Sequence, residues 1–176
     1  MAGDSYKYAE PRYRGRVVVC GTCQITQSMT SSSKMVAVWE AQEEISKVDI
    51  DSLAEALRSL AETAREVGKE YQDSCDNQRE YFPDSEVAQE NEDKAQALDE
   101  WADELESAAD EVDSTLGEVE ELQTEQGNLE TEQEGELTEE RGEEIQGRLT
   151  EIGEEIESKE EEARSTADDA SNNCPD

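Results

Sequence analysis

The sequence contains no histidine. That removes the side chain most used as a general base near neutral pH, the commonest metal ligand, and every nucleophile that depends on an imidazole. Lysine is scarce, at 6 of 176 residues, and arginine adds 9, so acids outnumber bases 49 to 15. There is one phenylalanine, Phe82, and two tryptophans, Trp39 and Trp101, in a chain that is 33% hydrophobic and 36% charged. Such a composition is thin for a globular core and points to elongated helix or disorder. Long apolar runs are missing too. The longest, Val17–Cys20 and Met35–Trp39, fall far short of the ~20 residues that a membrane-spanning helix needs. Tyr6 to Arg16 is polar and basic, unlike the apolar stretch of a signal peptide. The expectation is a soluble chain, cytoplasmic or virion-associated, with no membrane contact.

What is present is acid, and it is segregated. Residues 1–35 carry five bases against two acids, residues 36–84 carry 13 acids against five bases, and residues 85–176 carry 34 acids against five bases. A field of that sign repels nucleic acid and anionic membrane, attracts basic surfaces and strains a compact fold by self-repulsion. Abundant acid with little lysine also fits a protein adapted to concentrated salt, which screens that repulsion.

Prolines occur only at positions 11, 83 and 175. Since proline stops helices, long helices are allowed on either side of Pro83. Met35 to Val48 forms a first helix with Met35, Val38, Trp39, Gln42 and Ile45 on one side. Ser52-Leu-Ala-Glu55 then matches a capping box. Leu53, Leu57, Leu60, Ala64, Val67 and Tyr71 follow in alternating steps of four and three, a heptad seam. After Phe82-Pro83, Asp84 or Ser85 caps a second long helix whose seam is Leu98, Trp101, Leu105, Ala108, Val112, Thr115, Val119 and Leu122. The short link between these helices predicts an antiparallel hairpin.

Beyond residue 126 the chain becomes a degenerate heptad tract. Its units start at Leu122, Leu129 and Leu137, and Ile145, Leu149, Ile152, Ile156, Lys159 and Ala163 continue the pattern. Five glycines fall within it, each costing a helix about 1 kcal/mol relative to alanine. The tract is either the end of one long helix or a separate helix folded back at Gly127-Asn128 or Gly135, and a break at Gly127-Asn128, a good helix-ending pair, is favoured. At the other end, Arg16–Cys20 and Cys23–Gln27 flank Gly21-Thr22 and read as a small β-hairpin.

The expected fold is therefore mainly α: an antiparallel helical hairpin or coiled coil with a small N-terminal β-hairpin and an acidic helical C-terminal extension. Residues 1–34 form a basic segment, and 35–126 hold helices at about 35–48, 52–80 and 84–126. Residues 127–165 form the acidic heptad helix and 166–176 a flexible tail.

Chemistry-bearing motifs are few. The four cysteines are too few and scattered for a disulfide-stapled module. Cys20-Gly-Thr-Cys23 has the spacing of half a zinc knuckle, so Cys20 and Cys23 are the candidate metal ligands, although a structural site needs four. The same motif in a hairpin turn lacks the helix N-terminus that makes such pairs redox-active. Carboxylate pairs abound, but acid catalysis needs one carboxyl with a raised pKa in a dry pocket beside an ionised one. No phosphate loop, nucleotide fingerprint, nucleophile elbow or spaced-acid calcium loop occurs. No enzyme and no cofactor are expected. Tyr6 to Arg16 interleaves aromatics with cations, which in isolation suits single-stranded nucleic acid. The rest of the chain opposes that contact, and pairing with an acidic surface, this chain's own or a neighbouring copy's, is the better reading.

The function expected is non-catalytic: an acidic helical interaction or assembly protein, structural or scaffold-like and viral in one setting. It would bind a protein with a basic surface or its own copies as a homo-oligomer, with no direct nucleic-acid binding. One alternative is a nucleic-acid mimic that occupies the basic cleft of a DNA-binding enzyme. The other is a salt-adapted helical domain whose acidity reflects habitat alone.

Overall fold

A computed structural model describes residues 6–9, 17–20, 33–135 and 138–175. The chain is mainly helical. Among the described residues, strands β1 (Tyr6–Ala9) and β2 (Val17–Cys20) precede helix α1 (Val36–Ile45) and a 3-10 turn (Ile50–Ser52). Helices α2 (Leu53–Tyr81), α3 (Glu86–Gln133) and α4 (Glu139–Asn172) follow.

The N-terminal hairpin expected from Arg16–Cys20 and Cys23–Gln27 is not supported. Val17–Cys20 pairs antiparallel with Tyr6–Ala9 instead, in the register Tyr6↔Cys20 to Ala9↔Val17, and Cys23–Gln27 lies outside the described residues.

The chain divides into two compact units, one holding residues 1–44, 59–102 and 175–176, the other residues 45–58 and 103–174. In the first, α2 and α3 run antiparallel through a tight link. Phe82 N–H donates to Gln78 O at 2.8 Å, Ser85 N–H donates to Phe82 O at 3.1 Å, and Ser85 Oγ accepts from Ala88 N–H at 3.3 Å. Ser85 is thus the cap of α3. The two backbones approach closely at Gly68, where a Cβ would stand 3.3 Å from Ala95 O. Leu60, Ala64, Val67 and Cys75 of α2 are buried with Leu98 and Trp101 of α3, joined by Met35 and Val38. Lys34 Nζ donates to Ser74 Oγ at 2.6 Å and lies 5.0 Å from the centroid of the Tyr71 ring. That covers the half-exposed end of the α2 seam.

In the second unit, Leu53 and Leu57 of α2 are buried along with Leu105, Val112 and Val119 of α3 and Ile145 and Ile152 of α4. Ser52 does not cap α2. It closes the 3-10 turn, donating from its N–H to Asp49 O at 3.1 Å, and Leu53 continues with helical angles (φ −68°, ψ −43°). Gly127 does not end α3 either. The helix runs on to Gln133 and stops at Gly135, whose N–H donates to Glu132 O at 3.0 Å in a tightened last turn. Thr138 opens α4, its hydroxyl accepting from Arg141 N–H, with Glu139 and Glu140 in the first turn where the helix dipole favours acids. Residues 166–172, expected within a flexible tail, belong to α4, and Ala167 and Ser171 are buried.

Candidate functional site

On α3, Glu118, Glu125 and Glu132 recur every seven residues, and on α4 Arg141 and Arg148 do the same. A seven-residue step keeps side chains on one flank of a helix seam. With α4 antiparallel to α3, the two flanks meet. Arg141 Nε donates to Glu132 Oε1 at 2.9 Å, Arg148 Nε to Glu125 Oε1 at 2.9 Å, and Lys159 Nζ lies 2.9 Å from Glu118 Oε2. Each cation also reaches along its own helix, to Glu144, Glu155 and Glu162 respectively.

The other bridges use the same arrangement. In the second unit Arg58 pairs with Asp110 at 2.8 Å and Asp113 at 2.7 Å. In the first, Arg79 pairs with Glu92 at 2.6 Å, and Arg65 lies 3.9 Å from Asp99. Arg164 makes no carboxylate bridge among the described residues but donates to Val48 O at 3.1 Å. The titration shifts follow from these contacts. Hydrogen bonds from Arg79, Arg148 and Arg141 hold Glu92, Glu125 and Glu132, in that order, below the ordinary glutamate range. The same bonds raise the arginines, and Lys159 is raised by its bonds to Glu118 and Glu162.

Six cations of the helices, Arg58, Arg65, Arg79, Arg141, Arg148 and Lys159, are therefore engaged between helices, where they tie neighbouring segments together. Several outward-facing carboxylates get no such partner: Glu111, Glu143, Glu154, Glu157 and Glu161 are exposed and make no ion pair among the described residues. Chemically this is an acidic, cation-attracting face on a helical frame. The exposed large apolar side chains among the described residues are Tyr81, Phe82 and Val87, all at or beside the α2–α3 link.

Of the candidate metal ligands, Cys20 is the last residue of β2 and Cys23 lies outside the described residues. Among the described residues, no group of three or more Cys, Asp or Glu is placed to hold a metal ion. Cys75 is buried in α2 and Cys174 half-buried past α4, and neither forms a disulfide among the described residues. No described helix is long and apolar enough to cross a membrane.

The apolar seams were legible from periodicity, whereas the interhelical bridges were not anticipated. Their signal lay in the shared seven-residue spacing of Glu118, Glu125 and Glu132 with Arg141 and Arg148. Compared with protein-family models, with curated proteins and with solved structures, the chain shows no match.

Proposed function

We propose that this chain is a non-catalytic acidic helical protein that works through assembly, with its own copies or with a protein that presents a basic surface. One observation carries the proposal: Arg58, Arg79, Arg141, Arg148 and Lys159 are committed to bridges between helices, while exposed carboxylates such as Glu143, Glu154 and Glu157 make no ion pair among the described residues. A chain that only needed solubility could scatter its cations over the surface. Here they hold the frame, and the uncompensated charge faces outward, where it speeds encounter with basic partners and rejects acidic ones.

On this reading α2, α3 and α4 form coiled-coil-like seams, and the basic N-terminal segment gives the opposite charge that self-assembly needs. The chain then makes no direct contact with nucleic acid or membrane, and it serves as a scaffold or accessory in the cytoplasm or in a virion.

The test is a low-salt capture from the source cell's lysate, with a charge-matched, sequence-scrambled acidic peptide as control. Recovery of further copies or of a structural protein, absent from the control, supports assembly. Recovery of a DNA-processing enzyme that added DNA releases replaces assembly with the nucleic-acid mimic. Equal recovery by chain and control removes both and leaves acidity as a solubility trait.

A further inference from the structure

In the second unit a groove of about 410 Å³ opens where the 3-10 turn meets α3 and α4. Ile50, Leu116 and Val119 line it together with Asp51, Asp113, Glu120 and Glu160. Gly117 lies among them, and a Cβ built there meets nothing within 4 Å, so the space beside the helix is open.

Two other grooves differ in one decisive respect. The one beside Leu122 has Glu118, Glu121, Glu125 and Glu155 in its lining; three are already bridged by Lys159 or Arg148, Lys159 itself lines the groove, and only Glu121 makes no ion pair among the described residues. The one beside Gly68, in the first unit, mixes Arg65 and Lys69 with Asp99 and Glu92. In the Gly117 groove only Asp113 is paired, to Arg58. Asp51, Glu120 and Glu160 make no ion pair among the described residues.

Apolar side chains beside unpaired carboxylates suit a side chain with a hydrocarbon stem and a cationic head, and arginine fits best because its planar fork bridges carboxylates. The chain carries one dense source: Arg12, Arg14 and Arg16 stand at alternate positions, with Tyr13 between the first two. No other five-residue window holds three cations.

We propose that the Gly117 groove receives Arg12–Arg16 of a second copy of this chain. The inference rests on the assembly reading above and gives that assembly its surface. The groove supplies the acidic half, and the N-terminal arginines supply the basic half.

The experiment is sedimentation equilibrium of the full-length chain beside four variants, with circular dichroism to confirm helix. Gly117→Leu fills the space while improving helix propensity, Glu120→Arg and Arg14→Glu each reverse one charge, and the fourth combines those two reversals. The wild type self-associates; each of the first three variants weakens association about tenfold or more, and the combined variant regains it. Association unchanged in all four variants overturns the groove and leaves assembly standing. A wild type that stays monomeric overturns the groove too, while lysate capture of a basic structural protein would still uphold the wider reading.

Discussion

Arg148 Nε donates to Glu125 Oε1 at 2.9 Å and its Nη2 donates to Glu125 Oε2 at 3.1 Å, a two-pronged bridge across 23 positions of sequence. Bidentate pairs of this kind fix direction as well as distance. This one sets α4 against α3 in antiparallel register, and Arg141 with Glu132 repeats it one heptad nearer the turn.

Because Arg148 and Glu125 are partly solvent-exposed, the bridge is open to salt. Arg148→Gln is expected to lower Tm slightly in dilute buffer and less in concentrated salt. Thermal melts at two ionic strengths check this, and a salt-independent loss would point to packing by the arginine stem instead of charge.

Ile152 is fully buried on α4, whereas Ile156 is only half-buried. Ile152→Ala should cost about 2–5 kcal/mol, the usual range for emptying a packed site, and Ile156→Ala clearly less. Urea unfolding of the two variants measures the difference. Were α4 a free projection, neither substitution would matter.

Two helical glycines should respond oppositely to alanine. At Gly127 a Cβ meets nothing within 4 Å, so Gly127→Ala should stabilise by about 0.5–1 kcal/mol through helix propensity. At Gly68 the new methyl would sit 3.3 Å from Ala95 O, against backbone that yields poorly, so Gly68→Ala should show no such gain. Equal stabilisation at both sites would contradict the close approach of α2 and α3 there.

Acid should act in two stages. Lowering pH from 7 toward the isoelectric point of about 4.1 removes negative charge from a chain of net −34, which relieves self-repulsion and raises Tm. Glu92, Glu125 and Glu132 work the other way. Their folded pKa values are depressed by arginine, so their contribution is present above the ordinary glutamate range and is lost as pH falls through the depressed values. Stability should therefore pass through a maximum on the acid side of neutrality and fall below it. A Tm that declines steadily from pH 7 downward would show that the bridges outweigh the repulsion throughout.

Helix register was readable from local spacing alone. Seven of the eight α3 seam positions from Leu98 to Val119 and Leu122 are buried, Leu122 being the half-exposed exception. A 3.5-residue period is a property of neighbouring positions, so it is visible without knowing what a helix packs against. The candidate functional surface was legible only as net charge. Which glutamates bridge between helices depends on partners 9 to 41 positions away, as Glu132 with Arg141 and Glu118 with Lys159 illustrate.

The sequence by itself thus determined the class of element, the buried stripe of each helix and the sign of the surface, because propensity, periodicity and charge are local or additive. Only the tertiary structure decided where the chain turns and which charges are spent. Gly127 looks like a helix end in isolation, yet α3 continues through it and turns at Gly135, where Thr138 starts the next helix. The local cost of a helical glycine, about 1 kcal/mol, is small beside what the residues on either side gain once α4 lies against α3. The same holds for Ala167 and Ser171, which are unremarkable in sequence and ordered as helix because burial gives them something to pack on.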